Sequence, residues 1–525
     1  MASTPTSESD SPALTDDQKL AVDAVFDNRC VFITGPAGTG KSVLIRYLVA
    51  SVFNTTRVHL CSSTGISAYN IKGMTVHSFM ARLQIKGGPM ALNLSPSDVI
   101  IIDEISMLGK KTFEDLSDAI QRYYKTSGNP FGGHRMVFVG DFAQLPPVDD
   151  SFCFQSKYWS YVDKQVELKE IKRQTNREFT EFLLRIRSGE LSIQDRRRLV
   201  SLSRKPTPLN TVHLYPTNDR ARQYNETQLR LTAEATGDQI YSFPATVSHH
   251  GTNPEDESAF FQSQKARIYE RLELCVGSRV MLTSNLNVEE GWMNGAICTV
   301  IEVYPENKEQ LTIQPEGIRL EREGKTCFLM KQIYARQKYT RCNKCISAEC
   351  SHPRSTFYLD IVPEEVEKTH PFMLVGQYPL LLAWGLTIHK SQGLTLPGCV
   401  IHLYGRYTPS LFYVAISRCV SEEGVVIRAG EGIRFEQILP EEMVMKKVFH
   451  RRERECKACG EVYVGPYTVC QDCCSCPAPY EDLPFTAFAK SLTKEKEDFV
   501  MQTLEYPEKG NKKFRQYLEK LYKVK

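Results

Sequence analysis

At 525 residues the chain is too long for a single hydrophobic core, and about three or four domains are expected. Its 42% hydrophobic and 24% charged residues fit a globular protein, and a net charge of +3 is too small to indicate a polyanionic partner, so any such contact must come from local basic grooves. No apolar run approaches the roughly 20 residues needed to cross a bilayer, and the opening MASTPTSESDSP is polar and acidic; the expectation is an intracellular protein with no membrane partner and a disordered lead over residues 1–13.

Residues 14–165 alternate short apolar runs with helical patterns. Cys30–Thr34 (CVFIT), 99–102 (VIII) and 136–139 (MVFV) are apolar runs that lead into Gly or Asp. Such runs suit strands buried on both faces of a parallel sheet, with ligands at their C-terminal ends. A second set begins at Val212 (VHLYPTN), resumes near Tyr378 (YPLLLAWGLTIHKSQG) and closes with 400–403 (VIHL) and 424–428 (GVVIR), predicting a second α/β domain from 166–270 and 376–435. Between its halves the texture turns to alternation, as in Arg279–Leu282 (RVML), 296–303 (AICTVIEV) and 357–361 (FYLDI), which predicts a small inserted β-barrel over 271–375. Residues 436–525 read as a Cys-rich segment followed by a Lys-rich helical tail.

Gly35, Pro36, Ala37, Gly38, Thr39, Gly40, Lys41 and Ser42 match G-x-x-x-x-G-K-S/T, between a buried strand and a helical pattern over 42–52. The glycines let the backbone wrap phosphates, and the N–H groups supply positive potential. Lys41 is expected to bridge the β- and γ-phosphates and Ser42 to bind magnesium. The apolar run 100–102 then delivers Asp103 and Glu104 to the same sheet edge. Asp103 would hold the magnesium, directly or through water, and Glu104 would polarise the attacking water. An acid pair capping a helix is the plainer alternative, but it does not account for a position about sixty residues after a phosphate loop. The guanine-reading Asn-Lys-x-Asp is absent, the nearest string being Asn343-Lys344-Cys345-Ile346, which argues against a GTPase switch.

Asp103-Glu104-Ile105-Ser106-Met107-Leu108 and the string 140–148 (GDFAQLPPV) resemble motifs II and III of superfamily-one helicases, above all the Pif and RecD-type branch. That resemblance implies two RecA-like P-loop domains with parallel sheets, an inserted SH3-like barrel, and ATP with magnesium as fuel. It makes Gln144 the γ-phosphate sensor. Residues 14–18 (LTDDQ) resemble the motif whose glutamine reads adenine, giving Gln18. Motifs IV (168–174, LKEIKRQ) and VI (413–418, YVAISR) give Arg173 and Arg418, which would stabilise charge on the transferring phosphoryl group.

The strand-gripping motifs 63–68 (STGISA) and 75–79 (TVHSF) give Thr64, His77 and Phe79. Motif V, 383–396 (AWGLTIHKSQGLTL), gives Thr387, His389, Lys390, Ser391 and Gln392 as backbone contacts, with Gly393 near the nucleotide. Thr217 and Asn218, and Asn294 in Trp292-Met293-Asn294-Gly295, recur in the same pattern. Bases are expected to stack on rings such as Phe79 or Trp292, and a short separating wedge to occupy 80–98.

Nine of the 17 cysteines fall in two clusters. Cys456, Cys459, Cys470 and Cys473 have the spacing of a zinc ribbon, with Cys474 or Cys476 as alternatives to Cys473. Cys342, Cys345, Cys350 and His352 form a second compact set within the inserted barrel, among Lys338, Arg341 and Lys344. The expected protein is an ATP-dependent DNA helicase that moves 5′→3′ on single-stranded DNA and opens forked or structured DNA in replication, repair or recombination. The rival expectation is a nucleic-acid-stimulated ATPase that remodels complexes without unwinding. A replication-protein partner at the zinc-binding region, a monomeric state, and a nuclear, viral-replication or cytoplasmic site complete the expectations; RNA is not distinguished from DNA.

Overall fold

A computed structural model describes residues 14–429 except 54–56, 86–90, 126–127, 209–210, 265–267, 288–289, 305–315, 343–353, 362 and 405–409; beyond them it describes only 433, 438, 440, 444, 453–455 and 462–464. The first domain opens with helix α1 (Asp16–Asp27), started by a capping box in which the Thr15 hydroxyl and the Gln18 amide satisfy each other's backbone N–H groups. Strands β1 (Cys30–Thr34), β2 (Val58–Ser62), β3 (Met74–Thr75), β4 (Val99–Asp103), β5 (Arg135–Gly140) and β6 (Lys164–Glu167) form one parallel sheet in the order β3-β2-β4-β5-β1-β6. Alternate residues of each strand feed opposite cores. Val31, Ile33, Ile101 and Val139 pack on α1 and α2 (Lys41–Tyr47). Phe32, Ile100, Ile102 and Phe138 pack on α4 (Val76–Arg82) and α5 (Lys110–Tyr124), α3 being Gly65–Asn70. This two-sided burial is what the uninterrupted apolar runs encode.

The second domain follows with α6 (Arg177–Ser188), α7 (Ile193–Arg204), β7 (Val212–Tyr215) and α8 (Asn218–Thr236). An all-β region then interrupts it: β8 (Tyr241–Pro244), β9 (Thr246–His250), helix α9 (Pro254–Gln264), β10 (Arg271–Leu274), β11 (Arg279–Leu282), β12 (Ile297–Tyr304), β13 (Gly317–Arg322), β14 (Lys325–Leu329), β15 (Gln332–Cys342), β16 (Arg354–Ile361), β17 (Phe372–Gln377) and β18 (Leu380–Leu382). The chain returns with β19 (Gly385–Thr387), β20 (Cys399–His402), α10 (Leu411–Ile416) and β21 (Val425–Arg428), and a short hairpin pairs Glu453–Glu455 with Val462–Val464. The second parallel sheet has the order β19-β7-β20-β21. One of its faces packs on α6, α7 and α10.

The insertion is wider than 271–375 and is laid out as three antiparallel sheets: β14-β13-β12-β11-β18, β16-β15-β17-β9 and β10-β8. The expected restart of the second domain near Tyr378 is corrected by β18, which pairs antiparallel with β11, Val280 facing Leu382. Only β19 joins the parallel sheet, beside β7. An apolar run carries no information about the direction of its neighbour, so the two cases look alike in sequence. The insertion docks on the first domain, where Ala81 of α4 shares a small core with Ala335, Tyr339, Leu359 and Ile361. Among the described residues no helix is long and apolar enough to cross a membrane.

Candidate nucleotide site and nucleic-acid groove

The loop between β1 and α2 is held in a conformation that needs glycine. Gly38 and Gly40 have φ of +87° and +79°. A Cβ at Gly38 would lie 2.7 Å from Cβ of Arg173, and one at Gly40 would lie 2.7 Å from Nε2 of Gln18. Lys41 Nζ donates to the carbonyls of Gly35 and Pro36 at 2.7 and 2.9 Å, keeping its charge inside the loop. Burial lowers its pKa, against the pull of Asp141 and Glu104. Gln18 reaches the loop as expected: Nε2 donates to the Thr39 carbonyl at 3.2 Å while Oε1 accepts from Thr15 N–H. Ser42 is exposed at the first turn of α2.

The acid pair ends β4 at the same sheet edge. Burial, and then the Glu104 charge, push Asp103 up to about 7. Glu104 sits in the left-handed region at φ +51°, a strained backbone of the kind found at functional sites. Its N–H donates to Asp103 Oδ1 at 2.9 Å, its carbonyl accepts from Ser63 Oγ at 2.8 Å, and its Oε2 has no protein partner. Burial raises its pKa, opposed by Lys41 and Arg418.

Two guanidiniums bear on this acid, Arg173 from the segment between β6 and α6 and Arg418 from just past the end of α10. Arg173 donates to Thr395 Oγ1 at 3.1 Å and to the Ser417 carbonyl at 3.0 Å. Arg418, 2% exposed, donates to the Val414 carbonyl and to Ser417 Oγ. Burial, then the Arg173 charge, lower Arg418 to about 9. A buried and a half-buried guanidinium beside an orphaned carboxylate oxygen and a glycine cradle suit a polyanionic phosphate chain with a divalent cation. Ser42 and Asp103 would hold that cation, which would supply charge neutralisation on the phosphates.

Three residues escaped the sequence reading. Tyr413 accepts a hydrogen bond from Ala37 N–H of the phosphate loop at 3.0 Å. Asp141 forms a buried pair with Arg187 of α6. Arg187 follows Leu183 by one helical turn, so a basic residue on the apolar face of α6 was the available signal. Gln144 is buried in the turn after β5, with its N–H bonded to the Asp141 carbonyl.

The strand-contact candidates divide. His77 on α4, Thr217 and Asn218 at the start of α8, and His389 are exposed; Lys390 is half-buried. Asn294 Nδ2 donates to Asn70 Oδ1 at 2.9 Å and Asn285 N–H donates to the Tyr69 hydroxyl, so the insertion meets α3 across one end of a groove. Thr64 caps α3 through Ser67 N–H, and Thr387 accepts from Lys390 N–H, so both hydroxyls shape turns beside that groove.

Three expectations are corrected. Phe79 is 0% exposed, on the inner face of α4 against the first sheet, and Trp292 is 2% exposed in the core of the insertion; neither ring offers a face to a base. Ser391 is buried with its hydroxyl donating to Ile388 O. Gln392 is 9% exposed, its Nε2 makes no hydrogen bond among the described residues, and its side chain favours the charged form of Glu104. A Cβ at Gly393, whose φ is +84°, would have Asn70 Nδ2 as its nearest neighbour at 3.8 Å.

The zinc candidates Cys345, Cys350, His352, Cys456, Cys459, Cys470 and Cys473, and the side chain of Cys342, lie outside the described residues. Backbone pairing of Cys342 with Arg354 puts that residue at the mouth of the β15–β16 hairpin. Among the described residues no three potential ligands cluster.

A phosphate loop, a strand-end acid pair and two arginines, one from the interdomain segment and one from a second parallel-sheet domain, define a P-loop protein of two RecA-like domains. Residues 13–197 match the model described as PIF1-like helicase. The chain is 30% identical over 445 residues to the ATP-dependent DNA helicase PIF1 of Danio rerio, covering 78% of this chain and 60% of that protein. It is 30% identical over 436 residues to the protein of the same name from Homo sapiens, with 79% and 60% covered. The chain thus spans about 60% of the length of the curated relatives it matches. Among solved structures, Bacteroides sp Pif1 in complex with ADP-AlF4 superposes with a TM-score of 0.59 at 25% identity, covering 86% of this chain and 99% of that one. The Pif1 helicase of Candida albicans has the same fold, with a TM-score of 0.64 at 24% identity over 83% and 99% of the two chains.

Proposed function

We propose that the chain is an ATP-dependent DNA helicase, a motor that hydrolyses ATP at the 35–42 loop and steps along single-stranded DNA to separate duplex. The observation that carries this reading is the placing of Arg173 and Arg418 beside Glu104, one from the interdomain segment and the other from the second domain. ATP bound by the first domain would be hydrolysed only when the second closes on it, so each turnover is tied to a domain movement. In that cycle Glu104 orients the attacking water, Lys41 and the arginines hold the phosphoryl charge, and Gln144 reports the phosphate to the groove. Relatives named as ATP-dependent DNA helicases, and solved Pif1 structures described as bound to ssDNA or at forked dsDNA, support the same substrate.

Travel 5′→3′, an SH3-like closure of the β11–β14 region, one or two zinc ions held by the cysteine clusters and a replication-protein partner at the C-terminal region belong to the same proposal, the last two supported by cysteine spacing. Unwinding of matched 5′- and 3′-tailed DNA duplexes tests it. Strand separation on the 5′-tailed substrate is expected; stimulated hydrolysis without separation would favour a remodelling ATPase. Elemental analysis of the native chain and of Cys342→Ser and Cys456→Ser variants tests the metal, and a metal-free native chain would remove zinc from the reading.

A further inference from the structure

One buried ion pair is used by none of the motif roles. Asp141, at the end of β5, accepts from Arg187 of α6 twice, Nε to Oδ2 and Nη2 to Oδ1, both at 3.0 Å. A longer contact of 3.4 Å runs from Arg187 Nη1 to Glu167 of β6. Asp141 is 0% and Arg187 5% exposed. The two-point fork holds carboxylate and guanidinium in a single relative orientation.

The pair crosses between domains at the turn that carries Gln144. Asp141 Oδ1 also accepts from Ala143 N–H at 3.1 Å, and its carbonyl accepts from Gln144 N–H at 2.9 Å. The turn straddles two cores: Phe142 and Ala143 pack in the first domain, while Leu145 packs with α6 and α10 of the second. The Asp141 charge bears on Lys41 and Glu104, and Tyr413 feels both partners of the pair. A buried ion pair is often no more stable than apolar residues of the same volume, so burial of two charges here is better explained by the geometry it imposes.

We propose that Asp141 and Arg187 are a positioning pair that sets the Gln144 turn against the phosphate site when the second domain is closed, and so couples strand binding to hydrolysis. The inference rests on the motor reading. Neither residue touches the reacting atoms; both act through Gln144 and Lys41.

The test uses the full chain with Asp141→Asn, Arg187→Gln, Arg187→Lys and the double variant D141N/R187Q. ATP hydrolysis with and without oligo-dT, binding of a fluorescent ATP analogue and the melting midpoint are measured. Strand-stimulated kcat is expected to fall about 10²-fold in D141N and R187Q, as for a displaced catalytic geometry. The double variant should be no worse than the worse single one, because the two residues act as a unit. Analogue affinity should stay within about threefold, and R187K, which keeps the charge and loses the fork, should fall between. Should R187Q be too unstable to purify, D141N and R187K carry the comparison. Additive losses, or a kcat per folded molecule that matches wild type while only the midpoint drops, would overturn the proposal. Lys41→Ala separates the two readings. A wild-type chain without strand-stimulated hydrolysis, or with stimulation that survives K41A, defeats the motor reading and this inference with it. Normal stimulation in the pair variants, lost in K41A, defeats the positioning pair alone.

Discussion

Tyr413 of α10 accepts a hydrogen bond from the Ala37 backbone N–H at 3.0 Å, which puts a hydroxyl of the second domain inside the phosphate loop of the first. Burial pushes this phenol up to about 12, so it keeps its proton at working pH and can offer it to a phosphate oxygen. Tyr413→Phe keeps the ring and removes the hydroxyl, both the donor and the acceptor of Ala37 N–H. The expected result is a fall of about 10–100-fold in kcat/KM for ATP, the range for a hydrogen bond to a charged group, with a melting midpoint lowered by the lost loop contact, which costs about 1–3 kcal/mol. Steady-state hydrolysis measures it, and an unaltered kcat/KM would reduce the contact to packing.

Glu104→Gln keeps the shape of the acid and removes its basicity. Turnover is expected to fall by about 10²–10⁴. Single-strand binding, measured by fluorescence anisotropy with a labelled oligonucleotide, should stay within about twofold, because the candidate contacts His77, Thr217 and Asn218 are exposed whereas Asp103 is buried. Wild-type hydrolysis in this variant would sink the assignment of the site.

Asp103 makes the nucleotide-free site a source of instability. A carboxyl whose folded-state pKa is raised to about 7 stabilises the fold below its ordinary range and loses that contribution as pH rises through 7. Asp103→Asn should therefore melt above wild type at pH 8, by on the order of 2 kcal/mol since each pKa unit corresponds to about 1.4 kcal/mol and the shift is shared with Glu104. The gap should shrink between pH 7 and 5 and vanish below about pH 4. Thermal denaturation in chelator at these pH values reads it; a gap that is constant with pH would mean that the charge is not the cause.

Phe79 should behave as a core residue. Phe79→Ala is expected to lower stability by about 3–5 kcal/mol in denaturant titration. Oligonucleotide affinity of the folded protein in the cold should stay near wild type. Loss of about 1–3 kcal/mol of binding with stability intact would restore this ring as a stacking platform.

Strands of the first parallel sheet were legible because two-sided burial demands unbroken apolar runs: β1 coincides with the expected segment, and β4 and β5 extend the expected runs 99–102 and 136–139 by one residue, at one end and at each end respectively. The nucleotide site was legible for a related reason. Gly38, Gly40, Lys41, Asp103 and Glu104 act through backbone geometry and short chain separation, which one stretch of sequence displays. Side-chain direction was not. The string 387–392 reads as one strand-contacting motif, yet its turn buries Ser391 and Gln392 while His389 stays exposed.

By itself the sequence determined that a phosphate loop and an acid pair share a sheet edge, because both signals are local. Only the tertiary structure decided that Arg187 closes on Asp141 and Tyr413 on Ala37, across 46 and 376 positions of chain. A buried arginine and a surface arginine are the same letter. What separates them is the water excluded by a second domain, and that exclusion exists only once both cores have formed around the Gln144 turn.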